Sequence, residues 1–322
     1  IDCRGIHLFD DRKIPVINIV VDHPFYYHKF LPFLPKDYCQ ISIDREHEAY
    51  LQYYFPEIKR GLFLPLAGTS LWEDDTLPKW EERPYDVVFT GNYTPLSKFE
   101  PTIERHGKEY ADFYYGIIED FKKHPHLGMD IGIREHLLSE VEDITEDGVK
   151  EMMPNMIMID LYVRNYFRGK VVQTLVDAGV SVHCFGAGWE FLPCEHPENL
   201  IKEGGVDSLA CLQALSKAKV SLNVMPWFKD GAHDRVFNSM LNGAVCFTDW
   251  SRYLTENLRD GEDIFFYELD ALECLPDMVQ GILENRKKWE HMQKAAYETA
   301  EKSHTWEHRA GAVHKEILSK IR

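Results

Sequence analysis

The sequence predicts an α/β protein of two Rossmann-like lobes facing each other across a cleft, and three observations carry that prediction. Short β-branched or apolar runs alternate with helical stretches along most of the chain. Those runs are apolar almost without interruption, as parallel strands covered on both faces are, whereas a half-wetted sheet alternates apolar with polar. At 322 residues and 44% hydrophobic content the chain also exceeds one ordinary core and suits two.

The first lobe is expected over residues 1–82. "IPVINIVVD" (Ile14 to Asp22), "YCQISID" (Tyr38 to Asp44) and "GLFLPLA" (Gly61 to Ala67) read as strands, with "REHEAYLQYYF" as a helix between the last two. The sequence opens without a methionine and reaches a strand within a few residues, so this lobe is expected to be incomplete. Gly68 to Pro84 is polar, carries two prolines and shows no period, and reads as the linker between lobes. The second lobe is expected over residues 83–322. It starts at "YDVVFTGNYTP" (Tyr85 to Pro95), carries a helical insertion over about 96–163, and resumes as helix "RNYFRGKVVQTLVDAG", strand "VSVHCFG", helix "VDSLACLQALSKA", strand "KVSLNVMP", helix "RVFNSMLNG" and strand "AVCFTD". "DIFFYE" then precedes amphipathic helices that run to Arg322 and are placed to cross back onto the first lobe.

Composition excludes several functions. Lys+Arg 36 against Asp+Glu 53 leaves a net charge of −17, which repels a phosphate backbone, so no nucleic acid partner is expected. The seven cysteines form no Cys-x-x-Cys pair, which signals neither a disulfide framework nor a zinc ribbon and makes a cytoplasmic location the default. No apolar run approaches the ~18 residues of a membrane span.

Candidate chemistry sits where strands end. In open α/β sheets ligands bind outside the carboxyl ends of the strands, and three glycine-bearing loops of the second lobe fall there: Gly91-Asn92, "FGAGW" with Gly186, Gly188 and Trp189, and "DGAHDR" with Asp230, Gly231, Ala232 and Arg235. Glycine lets backbone N–H groups approach a ligand, and a following helix adds its positive end, a combination suited to a diphosphate. In the first lobe Asp22 and His23 follow a strand directly and should face the cleft, where a base could take the proton of an acceptor hydroxyl. The plainer reading has Asp22 capping a turn and His23 packing on Tyr26 or Tyr27.

"SLNVMPWFKDGAHDRVFNSMLNGAVCFTDWSRYLTENLRDGEDIFFYELDALECLPDMV", together with "SHTWEHRA" (Ser303 to Ala310), resembles the donor-binding lobe of group 1 glycosyltransferases, and especially their spore-maturation-protein-like branch. The resemblance implies the GT-B fold and transfer of a sugar from a nucleotide-diphosphate donor. It further implies that Arg235 offsets the charge of the departing diphosphate and Phe237 anchors its helix. Members of the group often carry Glu-x7-Glu; the matching positions here are Asp230 and Asn238, and Asn238 would hold the ribose through neutral hydrogen bonds. One conflict stands against this reading: Asp234 is placed to cap the helix end that a phosphate would occupy.

Other signals are discounted. "FDDRK" and "WEDDT" carry paired acidic residues without a preceding strand, and His304 and His308 stand at helical spacing without a third metal ligand. "GAGW" lacks the third glycine of a dinucleotide fingerprint. The expectation is a metal-independent glycosyltransferase with no bound cofactor, Asp22, His23 and Arg235 catalytic, a nucleotide sugar as partner and an unidentified acceptor. A catalytically inactive nucleotide-sugar-binding or assembly protein is the alternative, and a non-hydrolysing sugar-nucleotide epimerase a lesser one.

Overall fold

The structure, a computed structural model, describes residues 8–72 and 76–321. Much of "WEDDT" therefore lies outside the described residues. Two parallel sheets form. The smaller orders β1 (Val16–Val20), β2 (Tyr38–Ser42) and β3 (Lys59–Phe63) side by side, with helix α1 (Arg45–Tyr54) joining the last two. Asp44 starts α1 by accepting the Glu46 N–H at 2.8 Å, and Pro56 follows the helix end.

The larger sheet has the order β6-β5-β4-β7-β8-β9: Leu200–Gly204, Val182–Phe185, Tyr85–Thr90, Ala218–Asn223, Val245–Asp249 and Phe265–Tyr267. Every neighbouring pair is parallel. The chain enters at the centre, winds outward one way to β6, then returns to wind the other way from β7, which is the doubly wound order with its switch point between β4 and β7. β6 was not foreseen from "LIKEG", whose charged residues suit an edge strand and mask the strand signal.

Between β4 and β5 the chain is helical as expected, with α2 (Lys108–Lys123), α3 (Met129–Glu140), α4 (Glu146–Met152) and α5 (Ile157–Asp177). α5 is one unbroken 21-residue helix that runs straight through Val163, where the sequence reading ended the insertion. After β7 come α7 (Asp234–Leu241), and later α8 (Arg286–Ser303) and α9 (Trp306–Ile321); α6 (Ser208–Ser216) precedes β7.

The start of α9 is tied to both sheets. Arg309 donates to the carbonyls of Pro65 (2.7 Å) and Leu66 (3.2 Å), the Gly68 N–H donates to His304 O, and the His304 ring stacks on Phe237 of α7 at 4.3 Å. Gly68 packs so closely on α7 that a β-carbon would lie 2.5 Å from the Phe237 carbonyl carbon. No helix among the described residues is long and apolar enough to cross a membrane.

Candidate functional site

Two cavities meet at the switch point. One, of about 350 Å³, is bordered by Thr69, Gly91, Asn92, Gly186, Ser208 and Asn238; the other, of about 400 Å³, lies between the sheets and is bordered by Asp22, His23, His47, Asp160, Arg164, Arg168 and Trp227. His233, Asp234, Arg235 and Trp306 line both.

Three arginines converge on the inter-sheet cavity. Arg164 clasps Asp160 through two bonds of 2.9 and 2.8 Å and reaches the Tyr26 hydroxyl at 2.8 Å. Arg235 donates from Nε to Asn223 Oδ1 at 2.7 Å and from Nη2 to the Val224 carbonyl at 3.2 Å, both at the end of β7. Arg168 donates one Nη1 bond to the Asn92 carbonyl at 3.1 Å, while its buried Nε has no partner. Burial first, then the neighbouring Arg235 and Arg164, push the Arg168 guanidinium down to about 9. Burial likewise lowers Arg235. Asp160 is wholly buried and held by Arg164, whereas Arg168 and Arg235 bond only to neutral acceptors, with Asp22 and Asp234 also lining the cavity. Two guanidinium groups that bond only to neutral acceptors are the arrangement that an anion with several oxygens completes.

The backbone supports the same end. Gly91 accepts the Trp189 indole N–H at 2.8 Å, and Asn92 Oδ1 accepts the Ala187 N–H at 2.9 Å, which locks the loops after β4 and β5 together. Gly186 is required by that packing, since a β-carbon there would lie 2.1 Å from the Gly91 carbonyl oxygen. Gly188 (φ 90°) and the fully buried Trp189 stand behind these loops and line neither cavity, which corrects their assignment as ligand contacts.

The loop before α7 differs more from expectation. Asp230, Gly231 and Ala232 line neither cavity, because they are docked on the first sheet. Asp44 Oδ2 accepts the Asp230 N–H at 3.0 Å, Asp44 and Gly231 form a backbone bridge, and a β-carbon on Gly231 would lie 2.5 Å from the Ile43 carbonyl oxygen. The Asp230 carboxylate, only 3% exposed, binds Arg45 at 2.8 Å and Arg252 at 3.0 Å. Glycine serves here to let two lobes touch, and the aspartate to hold them.

Asn238 reaches the smaller cavity, yet its Oδ1 accepts the Thr69 N–H at 2.8 Å and its Nδ2 donates to Asp234 at 3.1 Å. Its polar atoms therefore tie the chain after β3 to α7. The helix cap is His233, whose Nδ1 accepts the Arg235 N–H at 3.2 Å; Asp234 is the first helical residue, so the expected cap is corrected by one position.

Asp22 and His23 do emerge at the end of β1 and line the inter-sheet cavity. Asp22 is exposed and accepts the Tyr27 hydroxyl at 3.2 Å. His23 is 8% exposed, packs edge-on against His47 and Tyr50, and accepts the Phe25 N–H on Nδ1 at 3.1 Å. Burial, with His47 and Arg164 adding to it, holds its pKa well below the ordinary value, so the ring is neutral. With the Nδ1 lone pair engaged, the proton resides on Nε2. His23 is thus a hydrogen-bond donor to the cavity and cannot serve as the base expected from sequence.

Sequence reasoning missed Asp160, Arg164, Arg168, His47, His233 and Trp306. A signal for the first three existed, since Asp-x3-Arg-x3-Arg places them on one helix face four residues apart. Trp306 stands in "SHTWEHRA", which carries the resemblance without giving it a role, and His47 carried no signal: only the meeting of two lobes brings them to the cavity.

Residues 168–315 match a family model described as "Glycosyl transferase-like". No curated protein matches the chain. Among solved structures, the pneumococcal O-GlcNAc transferase GtfA in complex with UDP and GlcNAc aligns at 11% identity with a TM-score of 0.50, covering 98% of this chain and 54% of that one. A mutant S. aureus TarM, in complex with Fondaparinux, alpha-GlcNAc-glycerol and UDP, aligns at 11% identity with a TM-score of 0.50, covering 94% of this chain and 54% of that one. The chain thus spans about half the length of these structures. Its two parallel sheets, the second in doubly wound order, are the two Rossmann-like lobes of the GT-B fold, and the likeness to the glycosyl transferase-like family model falls within the second.

Proposed function

We propose that the chain transfers a sugar from a nucleotide-diphosphate donor to an acceptor hydroxyl, without a metal ion. The observation that carries this reading is the pairing of Arg168 and Arg235, each bonded only to neutral acceptors, at the switch point of the doubly wound sheet. The nucleoside would occupy the smaller cavity along Gly91, Asn92 and Gly186, the diphosphate the junction at His233 to Arg235, and the sugar the inter-sheet cavity. As the anomeric C–O bond breaks, negative charge grows on the leaving phosphate, and Arg168 and Arg235 are already in place to stabilise it without reorganising. Those two cations supply the charge that a divalent ion supplies elsewhere, which is the ground for proposing that none is needed. Asp22, which lines the cavity and has only its Oδ2 engaged by Tyr27, would take the acceptor's proton, and the His23 Nε2–H would fix a hydroxyl of the sugar or acceptor. The likeness to the spore-maturation-protein-like branch belongs to the same proposal.

Incubation of the protein with a panel of UDP-, GDP- and dTDP-sugars, reading released nucleoside diphosphate with and without a chelator, tests the reading. Turnover of one donor, unchanged by the chelator, is the expected result. Binding of a donor with no turnover on any acceptor would instead favour the inactive binding protein, a reading to which the engaged side chain of Asn238 lends support.

A further inference from the structure

Trp306 borders both cavities and has no role in the chemistry proposed above. It is the first residue of α9 and is 44% exposed. Among the described residues no ring or cation stacks on its indole. Its attachment, by contrast, is fixed from both sides. His304 and Thr305 before it are joined to Gly68, His304 also stacks on Phe237, and Arg309 one turn later holds the carbonyls of Pro65 and Leu66. A large aromatic side chain is therefore held at the junction of the two cavities and left 44% exposed there. An aromatic ring so exposed loses little entropy on binding, because the backbone that carries it is already ordered.

We infer that Trp306 is the platform on which the pyranose ring of the donor lies, so that the site selects donors with a carbohydrate ring following the second phosphate. The inference rests on the nucleotide-sugar reading above and assigns a specificity-determining residue within it. Charge decides which part of the donor the indole meets. Its face carries negative potential, which repels a diphosphate and attracts the weakly positive C–H groups on one face of a pyranose. The phosphates have Arg168 and Arg235 to go to. The nucleobase belongs further along the smaller cavity, against the strand-end loops at Gly91 and Gly186. Of the three parts of a nucleotide sugar, the ring between the junction and the inter-sheet cavity is the one left to meet Trp306.

The test compares wild type, Trp306→Ala and Trp306→Phe by calorimetric titration with UDP, UDP-glucose, GDP and GDP-mannose, alongside thermal melts. The expected result is that Trp306→Ala weakens whichever sugar nucleotide the wild type binds by about 3- to 10-fold, the value of one aromatic face. Affinity for the matching nucleoside diphosphate should change by less than about twofold, the scale of a contact not made. Trp306→Phe keeps a ring face but lacks the indole N–H, and should restore most of the loss. Equal weakening of both ligands, or no weakening of either, overturns the platform while leaving the nucleotide reading intact. Failure of Trp306→Phe to restore affinity in a variant that melts like wild type also overturns it, by pointing to the N–H and hence to phosphate. No binding of any of the four probes by wild type overturns the nucleotide reading itself and this inference with it.

Discussion

Helix α5 and the loop Lys229 to Ala232 approach the same junction from opposite sides, and their charges are opposed. α5 presents an arginine with a donor left unpartnered; the loop rests among carboxylates, of which Asp44 and Asp230 are buried and have partners. Asp44, Glu46 and Asp130 stand near the loop with burial raising them to about 7, about 7 and about 6, and Lys229, also buried, donates to the Pro125 carbonyl. The contrast separates a ligand site from a structural clasp. Both use glycine or charged residues at strand ends, but Asp44 and Asp230 of the clasp are satisfied within the chain, whereas two buried atoms of the site's lining residues, Arg168 Nε and His47 Nδ1, are left over.

The largest way to break this comparison is to remove the leftover group. Arg168→Ala should weaken nucleoside diphosphate binding by ~1.5–3 kcal/mol, the worth of a hydrogen bond to a charged group, while leaving the melting temperature unchanged or raising it, since like-charge repulsion and burial of a cation are relieved. Arg235→Ala should lower both, because its bonds to Asn223 and Val224 are lost as well. A fall in melting temperature for Arg168→Ala equal to that for Arg235→Ala would erase the distinction between them.

The converse change attacks the clasp. Gly231→Ala forces a methyl against Ile43 and Asp44, and should cost ~1–3 kcal/mol of stability with nucleotide affinity within about threefold of wild type. Loss of affinity without loss of stability would return the loop to the ligand. A smaller effect follows from pH. Asp44, Glu46 and Asp130 have folded pKa values above their unfolded ones, so the folded state binds more protons; their contribution is fully present below about 4 and is lost as pH rises through 6 to 7. Denaturant unfolding should accordingly show the protein more stable at the acid end of that window, with the dependence reduced in Glu46→Gln. The smallest effect concerns Asn238→Ala, which should lower the melting temperature by removing the bonds to Thr69 and Asp234 and change nucleotide affinity little; an affinity loss with an unchanged melt would restore the ribose contact.

The strands of both sheets except β6, together with α1 and the inserted helices, were legible because each obeys local rules of period, cap and proline. Gly91, Asn92 and Gly186 were legible because strand ends of one parallel sheet open on one edge. What escaped were facts about partners. Nothing in "KDGAHDR" distinguishes a loop that waits for phosphate from one that already rests on Asp44, since the partner lies in the other lobe. The tautomer of His23 depends on the Phe25 N–H, a bond visible only in three dimensions. α5 escaped for a different reason: a boundary drawn at Val163 leaves Asp160 in the insertion and Arg164 and Arg168 in the next helix, which hides their common face.

The diphosphate is assigned to the space between Arg168 and Arg235 at the β4–β7 switch point, and a crystal structure with a bound nucleoside diphosphate measures that placement directly. The expected result is a phosphate oxygen within hydrogen-bonding distance of the Arg168 guanidinium and another on Arg235, with the Asp230–Asp44 clasp unchanged. A diphosphate seated on the backbone of Asp230 to Ala232, or in the first lobe, with no contact to Arg168, would contradict it.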